Sequence, residues 1–153
     1  MHTLALAPAC TTVPLPEVRV GFDLAQVSAV AESLRRFGRR FADRLFTADE
    51  QCYALSGSGL FAERLAVRFA AKEAVIKALS LSEAGVNWRD IEVRKRAGGD
   101  CFVVLHGRAR QAADHLHVRS IAISMSHDGD CAGAYVNVVC EPRRADLQRQ
   151  LLQ

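Results

Sequence analysis

Apolar positions change their period several times along the chain, and each change marks a predicted element. In V-R-V-G-F-D-L, residues 18–24, the alternation is that of a strand with Val18, Val20 and Phe22 on one side and Asp23 near its C-terminal end. From Gln26 the spacing becomes helical: Val27, Val30, Leu34, Phe37, Phe41 and Leu45 fall three or four apart, with arginines between them, and Gly38 divides the stripe into two pieces. Thr47 followed by Glu50 is a capping-box pattern, so a new helix is expected just after Thr47, ending at a flexible S-G-S-G link.

The longest helical stretch runs from about Phe61 to Leu79. Leu65, Phe69, Ile76 and Leu79 mark its apolar face, and alanines at 66, 70, 71, 74 and 78 permit a close neighbour. S-L-S-E-A-G-V-N then reads as a loop, I-E-V-R-K and C-F-V-V-L as strands joined by the tight A-G-G-D turn, and G-R-A-R-Q-A-A-D-H-L as a short helix. Two more strands, within 120–126 and 132–139, pair through H-D-G-D. The expected fold is α+β, one long central helix against an antiparallel sheet. A flexible leader (1–17), one domain (18–140) and a weakly helical tail (141–153) complete the plan. The leader has no basic segment before its short apolar run, so it is read as a leader and not as a removed signal peptide.

At 153 residues the chain is sized for one domain with one core. Half of its residues are apolar and 24% are charged, which is ordinary for a soluble globular domain. No apolar run approaches the roughly 20 residues a membrane-spanning helix needs. The net charge of +3 is small, but Arg35, Arg36, Arg39, Arg40 and Arg44 crowd one stretch, which favours an acidic partner. A nucleic-acid partner for this stretch is ranked last. The five cysteines are scattered and form no C-x-x-C pair, so neither a disulfide framework nor a zinc site is supported; they read as reduced, mostly buried residues of a cytoplasmic protein.

Chemistry concentrates in F-A-A-K-E-A-V-I-K-A-L, residues 69–79. Glu73 and Lys77, four apart, share a helix face, and Lys72 lies about 100° around the axis. They form either a surface ion pair or one wall of a cleft, and the apolar flanks favour a cleft. Asp23 is either a turn carboxylate or a ligand. Two carboxylates from different elements make a suitable incomplete shell for Mg²⁺, which is usually completed by waters and substrate phosphates, and a nearby lysine neutralises phosphate charge. Ser126, His127 and Asp128, being neighbours, cannot converge as a nucleophilic triad; they form a polar hairpin turn or donate hydrogen bonds to a phosphate. His115 and His117 have no third metal ligand nearby and read as a solvated helix end.

G-F-D-L, R-F-A-A-K-E-A-V-I-K-A-L, W-R-D-I-E-V and S-M-S-H-D, in that order and spacing, resemble the holo-acyl-carrier-protein synthases, the small 4'-phosphopantetheinyl transferases, over about residues 18–139. The resemblance implies Mg²⁺-dependent transfer of 4'-phosphopantetheine from coenzyme A to a serine of an acyl carrier protein, with release of adenosine 3',5'-bisphosphate. It assigns Asp23 and Glu73 to the metal and Lys77 to phosphate or proton, and gives Lys72, Lys77, Ser126 and His127 to coenzyme A. The five arginines would face the carrier, and the chain would form a homotrimer with each active site between protomers. The chain departs from the family pattern after the aspartate, with Gln26, Ser28 and Ala29 where acidic and basic residues are common, and at Ser80, where glycine is common. The competing expectation is a non-catalytic homologue that binds carrier or coenzyme A.

Overall fold

A computed structural model describes residues 15–142. The order is β1 (Glu17–Gln26), α1 (Val27–Phe37), α2 (Arg39–Leu45), α3 (Ala48–Leu55), α4 (Phe61–Leu79), a 3₁₀ turn (Trp88–Asp90), β2 (Ile91–Lys95), β3 (Cys101–Leu105), α5 (Gly107–His115), β4 (Val118–Asp128) and β5 (Cys131–Cys140). The predicted strands and helices form, Gly38 separates α1 from α2, and both hydrogen bonds of the Thr47/Glu50 capping box are made. Residues 1–14 and 143–153, which hold most of the expected leader and tail, lie outside the described residues.

The strands do not join into one sheet. β1, β5 and β4 form a three-stranded antiparallel sheet in that order, and β2 pairs only with β3. Between β3 and β4 lies a groove lined by Val103, Leu105, Val118 and Ile121, with Ala113 of the α5 crossover. The four cysteines among the described residues also depart from expectation, because Cys52 and Cys131 are exposed, Cys101 is half-buried and only Cys140 of the four is buried.

Helix α4 lies across one face of the larger sheet and is buried on nearly every side. Ala70, Ala71, Ala74, Val75, Ala78 and Leu79 pack with Val136 and Val138 of β5 and with Ile91 and Val93 of β2. Its alanines bring the backbones together: a Cβ at Gly21 of β1 would stand 1.9 Å from the carbonyl oxygen of Ala74. Gly21 is therefore a close-approach glycine, chosen for space. The other face of this sheet is open. Val18, Val20 and Phe22, the predicted apolar side of β1, and Leu24 after them are each more than half exposed beside Tyr135.

The start of α1 is held from a distance. Gln26 makes no side-chain cap, but Asp130 in the β4–β5 turn accepts from the Ser28 backbone N–H at 2.6 Å and from its hydroxyl at 2.7 Å. These bonds hold the Asp130 carboxyl below its ordinary pKa. The hairpin thus supplies a cap that no local motif in the sequence announced.

Candidate active site

The crossing at Gly21 and Ala74 determines what meets what. Two residues beyond Gly21 along β1, Asp23 points from the same sheet face toward α4. One turn of α4 presents Glu73 and Lys77 to it. Lys77 Nζ donates to Asp23 Oδ1 at 2.6 Å and to the Phe22 carbonyl at 3.1 Å. The Asp23 side chain is mostly buried and the Lys77 side chain is half exposed, so the lysine can swing toward a ligand without unfolding anything.

Electrostatics separate the two α4 residues. The hydrogen bond to Asp23 raises the Lys77 pKa and outweighs the small desolvation that opposes it, so the ammonium stays charged at neutral pH. Glu73 is pushed the other way from a working carboxylate: partial burial raises its pKa, the Asp23 charge adds to the rise, and Lys77 only partly offsets both. This carboxyl lacks enough positive charge nearby. It also lines a cavity of about 280 Å³ with Ile76, Leu81, Ser82, Gly85, Val86 and Trp88.

Among the described residues no group of three or more His, Cys, Asp or Glu could hold a metal. The donor set nevertheless fits Mg²⁺, which takes one or two carboxylates and completes its shell with water and substrate phosphate. Asp23 and Glu73 would supply the carboxylates, and a divalent cation would offset the burial and the Asp23 charge that together raise Glu73.

The other predicted residues are elsewhere. Lys72 does not reach the cleft: it is fully buried, 2.8 Å from Glu50 Oε2 and hydrogen-bonded to the carbonyls of Trp88 and Ile91. The 100° offset from Glu73 turns it into the core between α4, α3 and β2, where its ammonium bonds only within the protein, so the expectation that it contacts coenzyme A is corrected. Ser126 and His127 are exposed near the end of β4, with β5 between them and β1. A single chain thus joins Asp23, Glu73 and Lys77 but keeps Ser126 and His127 two strands away. Arg35, Arg36, Arg39, Arg40 and Arg44 are all exposed along α1 and α2, with Arg35 paired to Glu32 and Arg39 to Asp43. His115 and His117 are exposed at the end of α5, as expected.

Three contributors were missed in the sequence. Trp88 forms a wall of the Glu73 cavity and stacks on Phe69 at 5.3 Å. Glu50 gave only its capping-box signal, and Glu92 stood in the W-R-D-I-E-V motif with no role assigned; both are buried carboxylates. The loop after α4 explains the departure at Ser80, which takes the left-handed conformation (φ 54°, ψ 47°) at the helix end where glycine fits without strain.

Comparison with known proteins follows the same residues. The family model of the 4'-phosphopantetheinyl transferase superfamily matches residues 19–136. The chain is 40% identical to a holo-[acyl-carrier-protein] synthase of Gloeobacter violaceus over 121 residues, covering 79% of this chain and 92% of that protein. It is 42% identical to one from Koribacter versatilis over 117 residues, covering 76% and 93%. A coenzyme A complex of the synthase from Chronobacterium ammoniagenes superposes with a TM-score of 0.72 at 34% identity, covering 82% of this chain and 99% of that one. With its match spanning both the Asp23 strand and the Glu73/Lys77 helix, the chain belongs to the 4'-phosphopantetheinyl transferase superfamily, among its holo-[acyl-carrier-protein] synthases.

Proposed function

We propose that this enzyme transfers 4'-phosphopantetheine from coenzyme A to a serine hydroxyl of an acyl carrier protein in a Mg²⁺-dependent reaction and releases adenosine 3',5'-bisphosphate. The observation that carries the reading is the convergence of Asp23, Glu73 and Lys77 from β1 and α4 beside a cavity. Relatives named for the same carrier chemistry, one of them solved with coenzyme A, support it.

In the reaction the serine oxygen forms a bond to the phosphorus that carries pantetheine. The bond from that phosphorus to the bridging oxygen breaks, the adenosine bisphosphate leaves with the bond's electron pair, and the serine proton passes to solvent or to phosphate. Positioning and charge neutralisation supply most of the catalysis in such a transfer. Asp23 and Glu73 would hold Mg²⁺, which when bound neutralises pyrophosphate charge. Lys77, kept cationic by Asp23, exchanges that partner for a phosphate oxygen; its raised pKa favours a phosphate ligand over a proton acceptor. Trp88, Ile76 and Val86 wall the cavity beside Glu73.

A homotrimer with active sites between protomers fits two features. The open apolar face of β1 with Tyr135 is a surface suited to a second copy. Ser126 and His127, remote from Asp23 within one chain, could then serve coenzyme A bound against a neighbour. The exposed arginines of α1 and α2 would steer the acidic carrier. The free cysteines suit a cytoplasmic setting, and no helix of the described residues is long and apolar enough to cross a membrane.

The test incubates apo carrier proteins with coenzyme A and Mg²⁺ and reads intact mass. A gain of one phosphopantetheine group on the carrier is expected. Binding without any gain across several carriers would replace the transferase reading with that of a non-catalytic homologue.

A further inference from the structure

The proposed chemistry leaves one costly feature unused: an ion pair with no solvent exposure, directly behind the site. Both Lys72 and Glu50 side chains are fully buried. Each of the three ammonium protons has an acceptor, in Glu50 Oε2 at 2.8 Å, the Trp88 carbonyl at 3.0 Å and the Ile91 carbonyl. Glu50 is equally occupied: Oε1 accepts from the Val93 N–H at 2.9 Å, and Oε2 accepts from the Thr47 N–H at 2.9 Å. One pair of side chains therefore ties together four segments, the N-terminus of α3, the middle of α4, the 3₁₀ turn and β2.

Stability alone is a weak reason for such a pair, since well-packed apolar residues of the same volume are often as stable. Its location suggests another. Lys72 precedes Glu73, so the bond to Glu50 sets the rotation of α4 at the point where Glu73 enters the cleft. The bond to the Trp88 carbonyl sets the opposite wall, because Trp88 lines the Glu73 cavity and stacks on Phe69. Both walls of the cavity are thus referred to one ammonium group.

We propose that Lys72 and Glu50 are positioning residues for the transfer reaction, holding Glu73 and Trp88 in register with the coenzyme A pyrophosphate while touching no substrate themselves. The proposal rests on the transferase reading above.

The test compares wild type with Lys72→Met/Glu50→Gln, which removes both charges at similar volume. Melting temperature, kinetics and the emission of Trp88, the only tryptophan, are read together. The double variant is expected to fold, to lose about tenfold or more in kcat/KM for coenzyme A, the range seen when groups supporting a ligand are removed, and to keep its carrier KM. Its Trp88 emission in the folded state is expected to move to longer wavelength as the wall loosens. A purely structural role would lower the melting temperature while leaving the folded protein's emission and coenzyme A KM unchanged, and that result would overturn the proposal. If the double variant does not fold, Glu50→Asp, which keeps the carboxylate but draws it back from Lys72, carries the same measurements with the same two outcomes. An inactive wild type would remove the transferase reading and this inference with it; an active wild type matched by the folded variant removes this inference alone.

Discussion

Lys72 and Glu73 are adjacent in sequence and occupy different sides of α4. One side faces α3 and β2, where a lysine with no solvent exposure has every proton bonded. Burial pushes that ammonium's pKa down, and the Glu50 carboxylate pulls it back. The other side faces β1 and the cavity, where a half-buried carboxyl lies near a second carboxylate and is underneutralised. The satisfied charge has all its partners inside the protein, the underneutralised one faces the proposed site, and the difference arises from a turn of about 100° per residue.

Breaking the satisfied side should have the largest effect on stability. Lys72→Ala leaves Glu50 buried without its partner and is expected to cost about 3–5 kcal/mol; denaturant unfolding that shows less than about 1 kcal/mol would mean that water or a rearranged side chain replaces the lysine.

On the other side, Glu73→Ala should remove activity and leave the fold alone. A loss of at least about a hundredfold in turnover is expected, with a melting temperature equal to or above that of wild type. Full activity in this variant would dissolve the proposed site.

The raised pKa of Glu73 predicts a sign as well. Between its ordinary value and the raised one the folded chain holds a proton that the unfolded chain has released. This contribution to stability is present at low pH and is lost as pH rises through the folded value. Glu73→Gln should flatten that part of the stability profile. Protons also compete with cation, so less Mg²⁺ should be needed for half-maximal activity as pH rises across the same window. Parallel pH profiles for wild type and variant would show that Glu73 carries no shift.

Smaller effects test the regions flanking the two sides. Arg36→Ala should raise the carrier KM by roughly two- to fivefold, about 0.5–1 kcal/mol, with little change in kcat. The difference should fade at high salt, and a salt-independent one would argue against steering. Ser80→Gly relieves a left-handed serine at the end of α4 and is expected to stabilise by about 1 kcal/mol, read from denaturant midpoints, without altering turnover.

Most elements could be read directly because their causes are local. The period-two run of β1, the interruption at Gly38, the reciprocal Thr47/Glu50 cap and the alanine-rich α4 each depend on residues within a few positions. Asp23, Glu73 and Lys77 were legible as candidates for the same reason: charges in apolar surroundings stand out in a sequence, and the family likeness supplied their roles. Their meeting was not legible. It depends on the close approach at Gly21 and Ala74, which joins elements some fifty residues apart.

Lys72 marks the limit most clearly. Periodicity gave its angle relative to Glu73, but nothing local says which angle faces a cleft and which faces a core, because that depends on where α3 and β2 dock. Glu50 is the counterpart: its capping bond is local, while its bonds to Lys72 and Val93 cross the fold. Sheet membership behaves in the same way, since alternation identifies β2 and β3 as strands but carries no term for their neighbours, and only packing left them apart from β4. Short-range sterics and hydrogen bonding were enough to name the elements and the reactive residue types; burial, which is a property of the assembled chain, decided which charges became structure and which became site.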